Sequence, residues 1–381
     1  MERTLKKWLL LFITLILVTA CSVPSSNTQE ENYGAASETE SQPLATPTVP
    51  SFEILTSPTL THIEMLDTQN GWAQAEGMIL RTENGGESWL NVTPPDILSN
   101  PAYAKSFFLD ETIGWFLLED IDKPNAGEIY RTLDGGGTWL WRAIPFGRAE
   151  FGFIDSENGY ALSSMGSAAG SMGVSVWTTV NGGGDFNRVF FHEPGFEYTM
   201  PFGGIKNGIS FRDPLNGWVG GSIPMDGVIW LYRSLDGGLS WAEQKVDLPA
   251  GYENYQTSTY APLFFDDGLA TLPVQLSGEK SGYVFYHSSD GGETWDAKLP
   301  VYLGGTYAIA SHNEIIVWDG GDTIYSSSDN GETWSFHASN WQPNDLLREI
   351  DFVSVNEGWA LTEYDLYRTQ DGGKTWEKLG E

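Results

Sequence analysis

The sequence predicts an all-β protein, a seven-bladed β-propeller of four-stranded antiparallel blades, and three observations support this prediction. A nine-residue motif, RTLDGGGTW at 131–139, occurs seven times at intervals of 39 to 55 residues. This spacing is near the ~40–50-residue period of one propeller blade. A second motif, Asp followed four residues later by Gly-Trp, precedes most copies, and no stretch after residue 58 has a helical period. The propeller is predicted to cover residues 59–381.

Each repeat supplies the four strands and two turns of one blade. In the first repeat, the alternation of His62–Leu66 predicts the first strand, and the segment from Asp67 to Trp72 predicts a turn into the second. Glycine provides the positive φ that such turns need, and Asp or Asn accepts backbone N–H bonds there. The other elements are expected in the order Trp72–Ala75, Met78–Arg81, a turn at Asn84–Gly86, and Ser88–Val92.

The repeated positions of the nine-residue motif are predicted to serve the fold, because a residue type concentrated at equivalent positions of a repeat caps or packs. Seven positions carry the turn-capping residue: Asn84, Asp134, Asn181, Asp236, Asp290, Asp329 and Asp371. Seven carry the closing aromatic residue: Trp89, Trp139, Phe186, Trp241, Trp295, Trp334 and Trp376. The third copy departs most, with Asp185-Phe186 in place of Thr-Trp.

The N-terminus predicts export. Residues 1–20 read as a signal peptide, with a basic start before the apolar run Trp8–Val18. Cys21, the single cysteine, follows Val-Thr-Ala, and this stretch resembles the lipobox of bacterial lipoproteins. The resemblance implies a lipid on Cys21 and anchoring to the membrane on its extracytoplasmic side; an uncleaved anchor or a plain signal peptide is the alternative. Residues 21–58, rich in Ser, Thr, Pro and Glu, predict a disordered tether.

The composition argues against several classes of ligand. A net charge of −31 disfavours nucleic acid and anionic lipid surfaces, and it leaves open a cationic partner or a role in solubility. The five histidines are scattered without metal-ligand spacing, and there is neither a Gly-x-Ser-x-Gly elbow nor a P-loop. We predict no metal, no cofactor, no nucleic acid and a monomeric chain.

The motif resembles the Asp box, Ser/Thr-x-Asp-x-Gly-x-Thr-Trp, of the BNR-repeat superfamily, and 132–139 fills every position. In that superfamily the box forms the outer turn between the third and fourth strands, and its Trp packs between sheets. The longer pattern, Asp-x3-Gly-Trp-Ala followed by the box, is similar to the photosystem II assembly and stability factor family. That resemblance implies a membrane-tethered scaffold that binds a nascent membrane subunit.

Enzymes also carry Asp boxes. Sialidases need an arginine triad, but Arg81, Arg131, Arg233 and Arg368 occupy one repeated position and are too far apart on a ring to converge. Xyloglucan-cleaving hydrolases use two propellers as cleft walls, whereas this chain has one. We therefore predict that the chain is not an enzyme and has no catalytic residues; a carbohydrate-binding or glycoside-hydrolase-like propeller is the alternative.

Departures from the repeat are expected to carry binding, because irregular loops hold most recognition residues. Three such loops stand out, at 163–173, 192–202 and 249–260. Their aromatic residues Phe196, Tyr198, Tyr252 and Tyr255 are predicted partner contacts, with packing on the rim as the alternative. The four repeated arginines are a second candidate partner surface, with pairing to a neighbouring box carboxylate as the alternative. The predicted function is a membrane-tethered extracytoplasmic scaffold that binds a protein of unknown identity.

Overall fold

Seven antiparallel sheets, each made of consecutive strands, form the propeller in the computed structural model, so the predicted fold class is confirmed. The structure describes residues 51–380 apart from 96, 98–102, 120–122, 124–125, 194–197, 266–267, 299, 302–303 and 342–344. The predicted signal peptide, Cys21 and most of the predicted tether lie outside the described residues. Within the described part of the chain there is no helix, and hence none long and apolar enough to cross a bilayer.

The first four blades contain strands β1 to β17. Blade 1 consists of β1 (Glu53–Leu55), β2 (Leu60–Met65), β3 (Gly71–Ala75), β4 (Met78–Thr82) and β5 (Trp89–Asn91). Blade 2 consists of β6 (Tyr103–Phe108), β7 (Gly114–Glu119), β8 (Gly127–Thr132) and β9 (Leu140–Ile144). Blade 3 consists of β10 (Ala149–Phe153), β11 (Gly159–Ala168), β12 (Ser171–Thr179) and β13 (Asn187–Phe191). Blade 4 consists of β14 (Ile205–Phe211), β15 (Gly217–Ser222), β16 (Trp230–Ser234) and β17 (Ala242–Glu243).

The remaining three blades contain β18 to β30. Blade 5 consists of β18 (Gln256–Thr259), β19 (Leu263–Phe264), β20 (Ala270–Ser277), β21 (Gly282–Ser288) and β22 (Asp296–Ala297). Blade 6 consists of β23 (Thr306–Ile309), β24 (Ile315–Trp318), β25 (Thr323–Ser327) and β26 (Ser335–Ala338). Blade 7 consists of β27 (Leu347–Phe352), β28 (Gly358–Thr362), β29 (Leu366–Thr369) and β30 (Glu377–Lys378).

The ring closes between blades 7 and 1 without exchange of a strand, because each blade is complete in sequence order. The innermost strands β27 and β2 meet there, and Glu349 accepts the backbone N–H of Ile63 at 2.6 Å. At the outer end of this seam, the hydroxyl of Ser57 donates to the carbonyl of Gly380. Ser57, which follows strand β1, and Gly380, the last described residue, therefore lie side by side.

The propeller begins earlier than the predicted boundary at residue 59. Strand β1 pairs antiparallel with β5, with Ile54 opposite Leu90, and so adds a fifth, outermost strand to blade 1. These residues carry no part of the repeat, which is why the repeat pattern could not place them in the sheet.

The propeller has two unlike faces. On one face, which we call the box face, the turn that carries the Asp box donates a backbone N–H to the turn that precedes the second motif's strand in the same blade. This bond recurs in all seven blades at 2.7 to 3.1 Å, for example from Gly135 to Thr112. The opposite face, which we call the loop face, carries the connections from the second to the third strand and from one blade to the next.

Candidate functional site

The Asp box is a closed hydrogen-bonded turn in every blade. In blade 2 the hydroxyl of Thr132 donates to Oδ1 of Asp134 at 2.9 Å and accepts the N–H of Gly136 at 2.8 Å. The carboxylate of Asp134 also accepts the N–H and the hydroxyl of Thr138, both at 2.8 Å. Because Gly136 has φ of +87°, the turn requires glycine at that position. The carboxylate is thus occupied by the turn that it caps.

The two boxes with asparagine form the same turn, but the side-chain NH2 group donates a hydrogen bond where the second carboxylate oxygen of aspartate accepts one. The side-chain amide of Asn84 donates to the hydroxyl of Ser88 at 2.9 Å. In the divergent third copy, the amide of Asn181 donates to the carboxylate of Asp185 at 3.2 Å. An amide donor opposite a carboxylate acceptor therefore explains why Asp185 replaces the usual hydroxyl residue in that copy.

The box carboxylates are held in their charged form. Burial alone would raise the pKa of Asp134, but the hydrogen bonds from Thr138 and Thr132 outweigh it and lower the pKa below its usual value. Hydrogen bonding lowers the pKa of the other four box aspartates in the same way. A carboxylate held in its ionised form by these hydrogen bonds is suited to capping a turn.

Tryptophans of the second motif join blades 1, 2 and 7 to the next blade in the ring. Trp115 is fully buried, stacks on Phe153 of blade 3 with ring centroids 3.7 Å apart, and donates its indole N–H to Gly182 O at 2.9 Å. Trp359 of blade 7 makes the equivalent bond to Gly85 O of blade 1, also at 2.9 Å. The ring seam therefore uses the same tryptophan bond as the interface between blades 2 and 3.

The four repeated arginines lie between blades rather than on a free surface. Arg131 donates to Ser156 O of the next blade at 2.6 Å, and Arg368 donates to Thr68 O at 3.2 Å. Arg81 donates to Glu111 O at 3.3 Å, while Arg233 forms a bidentate pair with Glu293 at 2.5 Å. Three of the side chains are only 12 to 16% exposed. These arginines join neighbouring blades, mostly through backbone carbonyls. Their guanidinium groups are therefore engaged within the propeller and do not form a partner surface.

The three loops that depart from the repeat belong to blades 3, 4 and 5 and meet on the loop face. The tip of the β11–β12 hairpin bonds the 202–204 segment, since Gly204 N–H donates to Gly170 O at 3.0 Å. The β15–β16 connection is tied to the 249–255 loop, since Gly227 N–H donates to Tyr255 O at 2.9 Å. Between them lies a hollow of about 280 Å³.

Two buried polar side chains hold the 198–204 segment in place. The ammonium of Lys206 donates to five backbone carbonyls at 2.8 to 3.1 Å, four of them at 201–204 and the fifth at Met172. Burial lowers the pKa of Lys206 to about 8, so the group remains largely charged at neutral pH. His192 accepts the N–H of Val174 and donates to Met200 O, both at 3.0 Å. These bonds give the loop a defined shape without a partner.

The predicted aromatic contacts are mostly rim packing. Tyr198 is half-buried against the edge of His192, with ring centroids 4.6 Å apart. Tyr252 and Tyr255 are half-buried against each other and against the core of blade 5. Phe196 lies outside the described residues.

Exposed apolar side chains on the same face were missed as individual residues. Met165, Phe202 and Met225 are 50%, 49% and 57% exposed. The first two lie inside loops that the sequence marks as irregular. Met225 follows Pro224 in the long β15–β16 connection, whose length beyond a tight turn is the signal that could have found it.

Carboxylates also gather on the innermost strands of blades 1 and 7. The imidazole of His62 lies 2.9 Å from Glu349, and Asp351 accepts the N–H of Met65 at 2.5 Å. Burial raises the pKa of Glu64 to about 7 and that of Asp351 to about 6. Within the described residues no three His, Cys, Asp or Glu side chains are arranged to hold a metal ion.

A second concave site lies on the outer side of blade 2. This cleft of about 450 Å³ is lined by Pro94, Pro95, Glu128, Tyr130, Trp139 and Trp141. The carboxylate of Glu128 accepts the Tyr130 hydroxyl at 2.6 Å, and Trp141 is 56% exposed. At the position of Trp141 the other blades carry Asn91, Arg188, Glu243, Ala297, Phe336 and Lys378. An exposed tryptophan is therefore not a requirement of the repeat.

The comparison with family models identifies the repeat. Residues 367–378, the seventh copy of the motif, match the model described as BNR/Asp-box repeat. The seventh repeat of this propeller is therefore similar to a BNR/Asp-box repeat. No curated protein sequence matches it significantly.

Solved structures with the same fold fall into more than one functional class. A GH74 enzyme from Niastella koreensis is similar with a TM-score of 0.60 and 14% identity over 86% of this chain. The match covers 55% of that enzyme, so this chain spans about half its length. YCF48 bound to a D1 peptide is similar with a TM-score of 0.53 and 18% identity, over 84% of this chain and 96% of that protein. A PL25 ulvan lyase is similar with a TM-score of 0.50 and 11% identity, over 85% and 96% of the two chains.

These comparisons correct the prediction that the chain is not an enzyme, which is wrong. The same fold covers 96% of a polysaccharide lyase and 55% of a glycoside hydrolase. A chain composed largely of repeat motifs is therefore compatible with catalysis, because an active site needs few residues placed on a scaffold. At these identities the similarity shows the fold alone.

Proposed function

We propose that this protein is a membrane-tethered, extracytoplasmic propeller that binds a segment of another protein on the loop face of blades 3 to 5. The observation that carries the proposal is one hollow lined by the tip of the β11–β12 hairpin, the start of the β15–β16 connection and residues of the 249–260 segment, with hydrogen bonds that fix these walls. Preformed concave surfaces of this kind suit recognition, because little ordering entropy is lost on binding. YCF48, a propeller of similar fold, has been solved with a D1 peptide bound, which supports a peptide ligand as the class of partner.

Site-specific photo-crosslinking in native membranes tests the binding face. A photoreactive phenylalanine analogue placed at Phe202 is expected to trap a discrete protein. The matched control is the same analogue at Leu133, which is 51% exposed on the box face and should trap none. Equal trapping from both positions, or trapping from Leu133 alone, would contradict the proposed face.

The tether is part of the proposal and has its own test. In the proposed arrangement Cys21 carries the lipid and residues 22–50 link it to the propeller. Labelled fatty acid is expected to be incorporated into the wild type and into the control Ser22→Ala but not into Cys21→Ser. Absence of label from the wild type, or equal labelling of Cys21→Ser, would refute lipid anchoring at Cys21.

A second candidate function is carbohydrate binding, which the cleft on blade 2 favours. An exposed indole beside a carboxylate offers an apolar face for a sugar ring and an acceptor for its hydroxyl groups. Glycan-array binding that is lost in Trp141→Ala and kept in Phe336→Ala, an exposed aromatic in the equivalent position of blade 6, would establish it. Glycan binding that is unaffected by Trp141→Ala would remove the cleft as its site.

A further inference from the structure

The loop-face hollow has one apolar and one polar wall. Ile205, Ile223 and Pro224 line one side, and Gln256, Ser258 and Ser277 line the other. The next residue in the chain after Pro224 is Met225, an exposed apolar residue. A peptide lying across this site could bury apolar side chains and still bond its backbone to hydroxyl and amide groups.

Two further exposed apolar side chains lie at the β11–β12 hairpin, whose tip borders the hollow. Phe202 and Met165 both approach Gly173, with a Cβ placed there 3.0 Å from the Phe202 ring and 3.6 Å from Met165. The absence of a side chain at Gly173 therefore leaves room for Phe202 beside the hairpin. Methionine is unbranched and polarisable, so such a surface adapts to side chains of different shapes. The wall is selective for apolar character more than for one residue type.

Acidic residues outnumber basic ones around the hollow. Glu193, Asp226, Glu253 and Glu279 are exposed on the connections that surround it, against the exposed basic residues Lys245 and Lys280 on the same described connections. Lys206 is buried beneath the surface with its ammonium held by carbonyls. With a net charge of −31 on the whole chain, the surface attracts cations and repels acidic segments.

We propose that this surface takes a cationic apolar segment, in which Lys or Arg residues stand beside large apolar side chains. This inference rests on the proposed loop-face binding and adds the chemistry of the partner. The apolar side chains pack on Met165, Phe202 and Met225, while the basic groups face the four carboxylates. Complementary charge of this kind raises the association rate and excludes partners of the wrong sign.

Fluorescence polarisation with the full-length protein tests the inference. The probes are two short synthetic peptides with the same Leu and Phe content, one carrying Lys and the other Glu at the remaining positions. The Lys peptide is expected to bind at least ~10-fold more tightly, and its affinity should fall as salt is raised. Equal binding of the two peptides, or preference for the Glu peptide, overturns the inference.

Variants separate this inference from the proposed function. Phe202→Ala is expected to weaken the Lys peptide ~10-fold, and the control Phe336→Ala should leave it unchanged. The combination Asp226→Asn, Glu253→Gln, Glu279→Gln should remove the salt dependence and most of the preference for Lys. Binding that responds to Phe202→Ala without any charge preference would refute the cationic partner but keep loop-face binding. Peptide binding that is insensitive to Phe202→Ala would refute both.

Discussion

On the box face, a hydroxyl, a carboxylate or amide, and a glycine N–H recur in every blade with the hydroxyl-to-glycine distance within 2.8 to 3.0 Å. On the loop face, the described connections of blades 3, 4 and 5 have no counterpart elsewhere in the ring. Lys206 and His192 each perform a unique task there. Repeated residues therefore close the ring, whereas the segments that depart from the repeat leave a surface free for recognition.

The largest expected effect is a difference in unfolding free energy between loss of a repeated tryptophan and loss of an unrepeated one. Trp115→Ala removes a fully buried indole and leaves Gly182 O without its donor, so it should cost ~3–5 kcal/mol of unfolding free energy. Trp141→Ala removes an exposed side chain and should change stability by less than ~0.5 kcal/mol. Denaturant titration measures both. Similar losses of unfolding free energy in the two variants would contradict the assignment of the repeated tryptophans to the fold.

Removing the buried cation should loosen the loop face alone. Lys206→Met leaves five carbonyls without a shared donor and should cost ~2–3 kcal/mol, because buried acceptors lose their bonds. Amide hydrogen exchange should accelerate at 198–204 and stay unchanged in the Asp boxes. Faster exchange spread over the box turns would show that the faces are not independent.

The buried carboxylates on the innermost strands of blades 1 and 7 should respond to pH in the opposite sense to those of the boxes. Burial raises the pKa of Glu64 to about 7, so the folded state binds the proton more tightly and stability falls as pH rises from the unfolded-state pKa through 7. Glu64→Gln removes this penalty and should stabilise the protein by on the order of 2 kcal/mol at pH 8 but not at pH 4. Thermal melting at the two pH values checks it, and an equal effect at both would contradict the assignment.

The smallest effect is expected at one box carboxylate. Asp134→Ala should cost ~1 kcal/mol, the usual value for a lost cap, and should leave loop-face binding intact. Since hydrogen bonding lowers the folded-state pKa of Asp134, its stabilisation is complete above the unfolded-state pKa and disappears as pH falls through the folded value. The wild-type advantage should therefore vanish in acid. Unchanged melting together with loss of peptide binding would place function in the box.

The sequence predicted what is repeated and missed what depends on neighbouring chain segments. Seven copies of the Asp box predict seven blades, since each copy needs one turn between two strands. The role of Arg131 was not predictable, because its acceptor, the carbonyl of Ser156, belongs to the backbone of another blade and leaves no residue signature. Strand β1 and the exposed Met225 were missed for a related reason, since neither occupies a repeated position.

The hydrogen bond between Ser57 and Gly380 has a consequence for chain connectivity. Because no strand crosses the seam and Trp359 bonds Gly85 as Trp115 bonds Gly182, the seam is an ordinary interface that happens to hold the termini. A circular permutant joined at this point and opened between two other blades would keep every inter-blade contact. The chain termini could then lie at any of the seven interfaces between blades without a change in the fold.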